Sequence, residues 1–170
     1  MSIRAATLAD ADAIAQVHVA SRRHAYQGIL PAEFLSRLSV EKRQATWSDS
    51  IAKGTPHILV AEVAGQVIGF SAVGVCRDKD SLPASFEVWA IYLSPAHWSL
   101  GHGRALWLAS REASIARGAR RISLWVIANN ERAIRFYRAA GFVPEFNSLK
   151  AFELGGMQVN EVRYVHHLDG

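Results

Sequence analysis

A chain of 170 residues, half of them hydrophobic and a fifth charged, is long enough to bury the core of one domain spanning 1–170 and too apolar to be disordered. Its formal charge of +4 is scattered among apolar residues, which suits a polyanionic small ligand or a plain solvated surface and disfavours nucleic acid, since there is no arginine-rich arm or reader motif. The one cysteine, Cys76, excludes an internal disulfide, and with no apolar leader and no stretch long enough to span a membrane the chain reads as cytoplasmic and free of membrane partners. The seven histidines show no HExxH spacing and no cysteine partner, so no metal is expected.

Residues 2–6 read as a short first strand. Thr7-x-x-Asp10 is a capping box, predicting a helix through Ile14 and Val17 toward Ala25. Gly28 and Pro31 break the segment RRHAYQGILP. A short helix over 32–38 and a second over 40–53, closed by Gly54, follow, with Leu35, Leu38, Trp47 and Ile51 as core candidates. HILVAEVAGQVIGFSAVGVCR holds two strands turned at Ala64-Gly65-Gln66, an antiparallel hairpin in which Cys76 is a small apolar strand residue. A polar loop over 78–84 leads to a strand over 86–93 that is apolar on both faces except for Glu87. A helix over 101–117 ends at Gly118, where a left-handed cap fits. RISLWVIA is a buried strand, 130–140 a helix stopped by Gly141, and the last 28 residues two strands around Leu154-Gly155-Gly156. The order is βααβββαβαββ, an α/β arrangement.

The apolar run FEVWAIYL is followed by Gly101-His102-Gly103-Arg104-Ala105-Leu106. A strand that ends at Ser94-Pro95 and feeds a glycine-rich helix start gathers unpaired backbone N–H groups and the positive end of a helix dipole at one spot, and such a spot binds phosphate. Gly101 and Gly103 suit it because a side chain there blocks close approach or forbids positive φ. A dinucleotide fingerprint requires Gly or Ala where Leu106 stands and an acid after the next strand, which instead ends in Ile127-Ala128. An ordinary helix start without a ligand is the alternative. Downstream, Asn130 and Tyr137 lie seven residues apart, two helical turns, and so on one side of their helix.

AIYLSPAHWSLGHGRALW and SLWVIANNERAIRFYRAAGF resemble motifs A and B of the GNAT N-acetyltransferase superfamily, Gln/Arg-x-x-Gly-x-Gly/Ala after a strand and Asn-x-x-Ala-x-x-x-Tyr before Gly-Phe. The resemblance implies a GNAT fold, with a mixed central sheet of about seven strands and helices on both faces, and acetyl-CoA as cosubstrate. It implies that the amides of Ser99, Leu100, Gly101, His102, Gly103 and Arg104 hold the coenzyme A pyrophosphate, that Ile91, Tyr92 and Leu93 pair with the pantetheine, and that Asn130 and Tyr137 also face it. Trp98 stands where the family usually has Gln or Arg, and Ser99 where glycine is common, with Arg104 and His102 placed to compensate.

An amine attacking a thioester must be neutral, and at pH 7 a lysine-type amine is so in roughly one part in a few thousand. Glu87 is the candidate base, because an ionisable group in a buried strand needs a role or a partner; a carboxylate hydrogen-bonded at the strand's start is the alternative. Tyr137, protonated at neutral pH, is the candidate acid for the departing thiolate, or else a core tyrosine beside Phe136. The resemblance places an oxyanion-binding N–H near Leu93, where the family has a β-bulge. It also sets the 22–28 segment at the border of the acceptor site, with Trp89 and Phe86 as lining; a solvated loop is the alternative. The expected activity is transfer of an acetyl group from acetyl-CoA to a primary amine by direct attack, with a small amine or amino-acid analogue as acceptor. A protein amino group as acceptor and a non-catalytic acyl-CoA-binding module are the alternatives. The sequence leaves the acceptor, and the choice between monomer and homodimer, open.

Overall fold

The computed structural model describes residues 1–168; Asp169 and Gly170, the end of the last predicted strand pair, lie outside the described residues. At the N-terminus the capping box forms, with the Thr7 N–H and hydroxyl donating to Asp10 Oδ2 at 2.7 and 3.1 Å. It caps a single 3-10 turn, Leu8–Asp10, which leads into α1 (Ala11–Ala25). The connection then holds α2 (Ala32–Ser36) and α3 (Val40–Lys53), the latter capped by Ser39 Oγ, which accepts from Lys42 N at 3.2 Å, and closed by Gly54 at φ 72°.

Strands β1 (Ser2–Ala5), β2 (His57–Val63), β3 (Gln66–Val75), β4 (Ser85–Leu93), β5 (Arg121–Ile127), β6 (Val143–Pro144), β7 (Lys150–Leu154) and β8 (Met157–His167) form one sheet. Their order is β1-β2-β3-β4-β5-β8-β6, with β7 paired to β8. The sheet therefore has eight strands rather than about seven, the extra one being the two-residue β6, too short to leave a period in the sequence. The β2–β3 turn is Ala64-Gly65, with φ 50° and 78°, the paired left-handed conformations that a two-residue hairpin needs. Cys76 lies one residue beyond the end of β3.

Two helices lie between the central strands and the carboxyl-terminal hairpin: α4 (His102–Ala116) and α5 (Glu131–Ala139). On one face of the sheet, Ile14 and Val17 of α1 and Trp47 of α3 pack on Ile58, Val60, Phe70 and Ala72. On the other, Leu106 of α4 packs on Leu59, Ala61 and Ile68. Trp107 joins Leu124 and Val126 of β5 in a cluster that also takes Phe136 of α5. Helices thus cover both faces, because β2 and β3 alternate apolar residues to both sides.

All neighbouring strand pairs are antiparallel except β4–β5, which is parallel and lasts only from Ser85↔Arg121 to Glu87↔Ser123. Beyond that the two strands separate into a fork. A β-bulge at Trp89 accounts for the departure: Ala72 faces Ala90 and Val73 faces Val88, so Trp89 is extra on β4 and bends it. This corrects the expected bulge near Leu93; it lies four residues upstream. The bulge also slips the alternation by one, so that Val88 packs toward α4 and α5 whereas Ala90 packs toward α1. The far arm is held independently: β5 pairs with β8 along its whole length, and Asp78 in the loop after β3 accepts from Trp125 Nε1 and Arg163 Nη1, both at 3.1 Å.

Candidate active site

The fork between β4 and β5 is a cavity of about 210 Å³ whose walls include Ile91, Tyr92, Leu93, Gly103, Asn130 and Tyr137, six of the residues expected at the site. Trp89 lines it as well, whereas Phe86 packs into the core beside α5. Because β4 and β5 are unpaired over this stretch, their facing main-chain edges offer N–H and C=O groups to a ligand.

At one end of the fork lies the turn before α4. Ser99 and Gly101 are both left-handed, at φ 61° and 83°, which explains why the first of these positions suits glycine. Gly101 is the N-cap of α4 and supplies no side-chain cap, the first turn holds no acid, and the first main-chain bond back into the turn is Ala105 N to Gly101 O at 3.2 Å. The amides of His102, Gly103 and Arg104 thus remain available, the arrangement that binds an anion. Gly103 is helical, and its constraint is space: a Cβ there meets Leu93 Cδ1 and Phe136 Cε2, each at 3.2 Å.

Trp98 holds this turn in place by donating its indole N–H to the Leu93 carbonyl at 2.9 Å. Its ring meets His24 edge-on at 4.9 Å and carries the Arg132 guanidinium at 3.8 Å. Arg132 also lines the cavity, and burial followed by the Arg135 charge holds its pKa below the ordinary arginine value. The sequence reading missed Arg132; its signal was its place in the first turn of the motif B helix, facing the glycine turn. Ser99, Leu100, Gly101, His102 and Arg104 form the rim of the turn and not the cavity wall.

Asn130 is the N-cap of α5, its Oδ1 accepting from Ala133 N at 3.3 Å while its side chain is buried against the cavity. Two turns on, Tyr137 projects into the fork, its ring edge-on to Phe136 and Phe142 at 5.5 and 5.7 Å. Burial and the neighbouring Tyr92 phenol push its pKa well above the ordinary tyrosine value. Tyr26, at the end of α1, is raised as well, first by Tyr92 and then by burial, with Tyr137 adding to it. Three phenols, from the end of α1, from β4 and from α5, thus converge in the cavity. Tyr26 belongs to the 22–28 segment expected beside the acceptor.

Glu87 is elsewhere. It is buried, lies off the cavity wall, and accepts from Arg77 N at 3.0 Å and from one edge of the Arg77 guanidinium, Nε at 3.1 Å and Nη2 at 2.7 Å. Arg77 lies in turn over the Trp89 ring at 4.2 Å. Glu87 is therefore tied to Arg77 and, through it, to the bulged residue.

Among the described residues no helix is long and apolar enough to cross a membrane, and no three His, Cys, Asp or Glu side chains are grouped to hold a metal. The family model of the GNAT acetyltransferases matches residues 22–142. The chain is 32% identical over 162 residues to the uncharacterised N-acetyltransferase YuaI of Bacillus subtilis, covering 95% of this chain and 90% of that one. In fold it is similar to the PaiA N-acetyltransferase of Thermoplasma acidophilum solved with coenzyme A (TM-score 0.79, 20% identity, 99% of this chain and 100% of that). It is also similar to an acetyltransferase of Salmonella typhimurium solved with its cofactor acetyl-CoA (TM-score 0.77, 22% identity, 100% of this chain and 95% of that). With the forked sheet, the uncapped glycine turn and the Asn130–Tyr137 helix in place, this chain belongs to the GNAT family of N-acetyltransferases and is an acyltransferase.

Proposed function

We propose that the protein transfers an acetyl group from acetyl-CoA to a small primary amine by direct attack, as one cytoplasmic catalytic domain over residues 1–170. The observation that carries this reading is the continuity of the fork, which runs from the uncapped start of α4 to the Tyr137 phenol. The residues present fit the cosubstrate. The free amides at 102–104 suit its pyrophosphate, Arg132 adds a cation, Gly103 leaves room where a Cβ would not, and the open edge of β4 at 91–93 suits the amides of its pantetheine. Acetyl-CoA supplies the activated acyl group.

The chain's own residues position and polarise. The unpaired β4 edge donates a main-chain N–H toward the acyl oxygen, stabilising the charge that grows there. Tyr137 stays protonated and donates a hydrogen bond to the departing sulfur. Its raised pKa makes complete proton transfer to a thiolate uphill, since even an unperturbed phenol lies about 1.5 units above a thiol. The proton released by the amine nitrogen ends on the thiol. Tyr26 and Tyr92 offer their hydroxyl oxygens as acceptors to the amine.

Glu87, bound to Arg77 and off the cavity wall, acts in this reading as a positioning residue that secures the bulge. The amine therefore enters neutral without a dedicated carboxylate base. Free thiol release from acetyl-CoA, measured with a panel of amines beside the melting temperature, tests the reading. Amine-dependent thiol release is expected. Stabilisation by acetyl-CoA with no release for any amine indicates an acyl-CoA-binding module, and no stabilisation removes the coenzyme A site.

A further inference from the structure

Arg22 and Arg43 form a charge arrangement that acetyl transfer as described does not use. Arg22, on the last turn of α1, lies with its guanidinium 5.3 Å from the centre of the Tyr26 ring, and its Nε is buried without a hydrogen-bond partner. Arg43, half-buried, stands on α3 between two contacts with α1, the Leu38 carbonyl that accepts from Arg23 Nη2 at 2.8 Å and the Trp47 indole that donates to His18 Nδ1 at 3.1 Å, and so lies beside the turn of α1 that holds Arg22; burial, then the charge of Arg22, holds its pKa below the ordinary arginine value. His18 senses both. Its imidazole is pushed down to about 3 by burial, then by Arg43 and Arg22, and it stacks on Tyr92 at 4.8 Å.

Several other arginines are paired with acids: Arg4 meets Asp10 and Glu62, Arg77 meets Glu87, Arg121 meets Glu145, and Arg163 meets Asp78 and Asp80, whereas Arg104, Arg117, Arg120, Arg132 and Arg138 have no acid partner among the described residues. Arg23, the neighbour of Arg22, donates to the carbonyls of Leu35, Ser36 and Leu38 and so holds the end of α2. Among the described residues no carboxylate pairs with Arg22 or Arg43, and none is among the charges acting on Arg43, His18 or Tyr26. Two partly desolvated like charges held together are unfavourable by themselves. An oxyanion between them reverses the sign of that interaction, and guanidinium forks are built to take one bidentately. The pair lies on the α1–α3 side of the sheet, the side opposite α4; neither arginine is on the cavity wall itself, and Ser21, Tyr26 and Tyr92, which are, stand between them and the fork.

Resting on the acetyl transfer proposed above, we infer that Arg22 and Arg43 are an oxyanion clamp for the acceptor. The preferred acceptor is a small primary amine bearing a carboxylate or a phosphonate, oriented with its amino group toward the three phenols. The charge that the clamp binds remains spectator to the reaction and sets specificity.

The test uses matched amines that differ only in the anion: alanine with alaninamide, phenylalanine with phenylalaninamide, and aminomethylphosphonate with methylamine. With the protein saturated by coenzyme A, so that the α4 turn is filled, the charged member of at least one pair is expected to raise the melting temperature more than its neutral partner. Its dissociation constant should be about 10- to 100-fold lower, the worth of a charged hydrogen-bond pair. Arg22→Gln and Arg43→Met should each erase the difference while leaving stabilisation by coenzyme A intact, and Arg43→Lys should restore part of it. Whether the amino acids or the phosphonate give the larger difference names the oxyanion. Neutral amines binding as well as charged ones, or no member of any pair binding, overturns the clamp. Failure of coenzyme A to stabilise the protein speaks against the acetyl-transfer reading alone, and the amine pairs then report on the clamp in its absence.

Discussion

At the scale of single residues, Tyr137 and Glu87 part ways. Tyr137 stands in the fork with a phenol kept neutral by burial and by Tyr92. Tyr137→Phe keeps the ring against Phe136 and Phe142, so acetyl-CoA should bind as before. The loss of a hydrogen bond made to sulfur only as it departs should appear in kcat, by roughly tenfold to a thousandfold. Full turnover in steady-state assays would remove the role. For Glu87 the bond to Arg77 decides. Glu87→Gln keeps one acceptor and loses the charge, so it should cost about 1–3 kcal/mol in urea denaturation. The dependence of kcat/KM on pH should keep the parent's shape, rising until the acceptor amine itself is deprotonated. A variant whose deficit deepens specifically at low pH would return Glu87 to the role of base. Tyr137 was legible because its motif spacing is local, seven residues on one helix. The Arg77 partner of Glu87 was not, because ten residues of loop and strand bring the two together only across the β3–β4 pairing.

Among elements, the start of α4 carries the sharpest consequence. Its glycines serve different ends: Gly101 needs its left-handed φ of 83° with nothing within 4 Å, whereas Gly103 needs space between Leu93 and Phe136. Gly103→Val should weaken acetyl-CoA binding by at least about tenfold, since it fills the cradle and disturbs the amide beside it. Gly101→Ala should instead cost mainly stability, about 1 kcal/mol, for placing an L-residue in the left-handed region. Calorimetric titration of both variants separates the two effects, and equal affinity in Gly103→Val would move the pyrophosphate elsewhere. The turn residues were legible as a motif. The part played by Trp98 was not, for its indole closes the turn onto the Leu93 carbonyl and carries Arg132, both contacts made in three dimensions. The bulge at Trp89 is likewise a property of a strand pair, which one strand's alternation does not record.

For the molecule as a whole, β1 is fastened to the start of α1 through Arg4 and Asp10. The Arg4 hydrogen bonds hold the Asp10 carboxyl down to about 2 against the opposing effect of burial, and Thr7 helps. A folded pKa below the unfolded value near 3.9 means stability that is present above about pH 4 and lost as pH falls toward about 2. Asp10→Asn should therefore lose about 1–2 kcal/mol at neutral pH, and its gap from the parent should close through that acid window, as denaturant titrations at several pH values can show. The sequence by itself determined the helices, the hairpin turn at Ala64-Gly65, the family and the glycine turn before α4, because capping, periodicity and glycine placement act within a few residues of one another. Tertiary structure decided which side chains meet in the fork. The separation of β4 from β5, the convergence of Tyr26, Tyr92 and Tyr137 on one cavity, and the meeting of the end of α1 with the start of α3 all join segments far apart in the chain, and only packing on the shared sheet sets those distances.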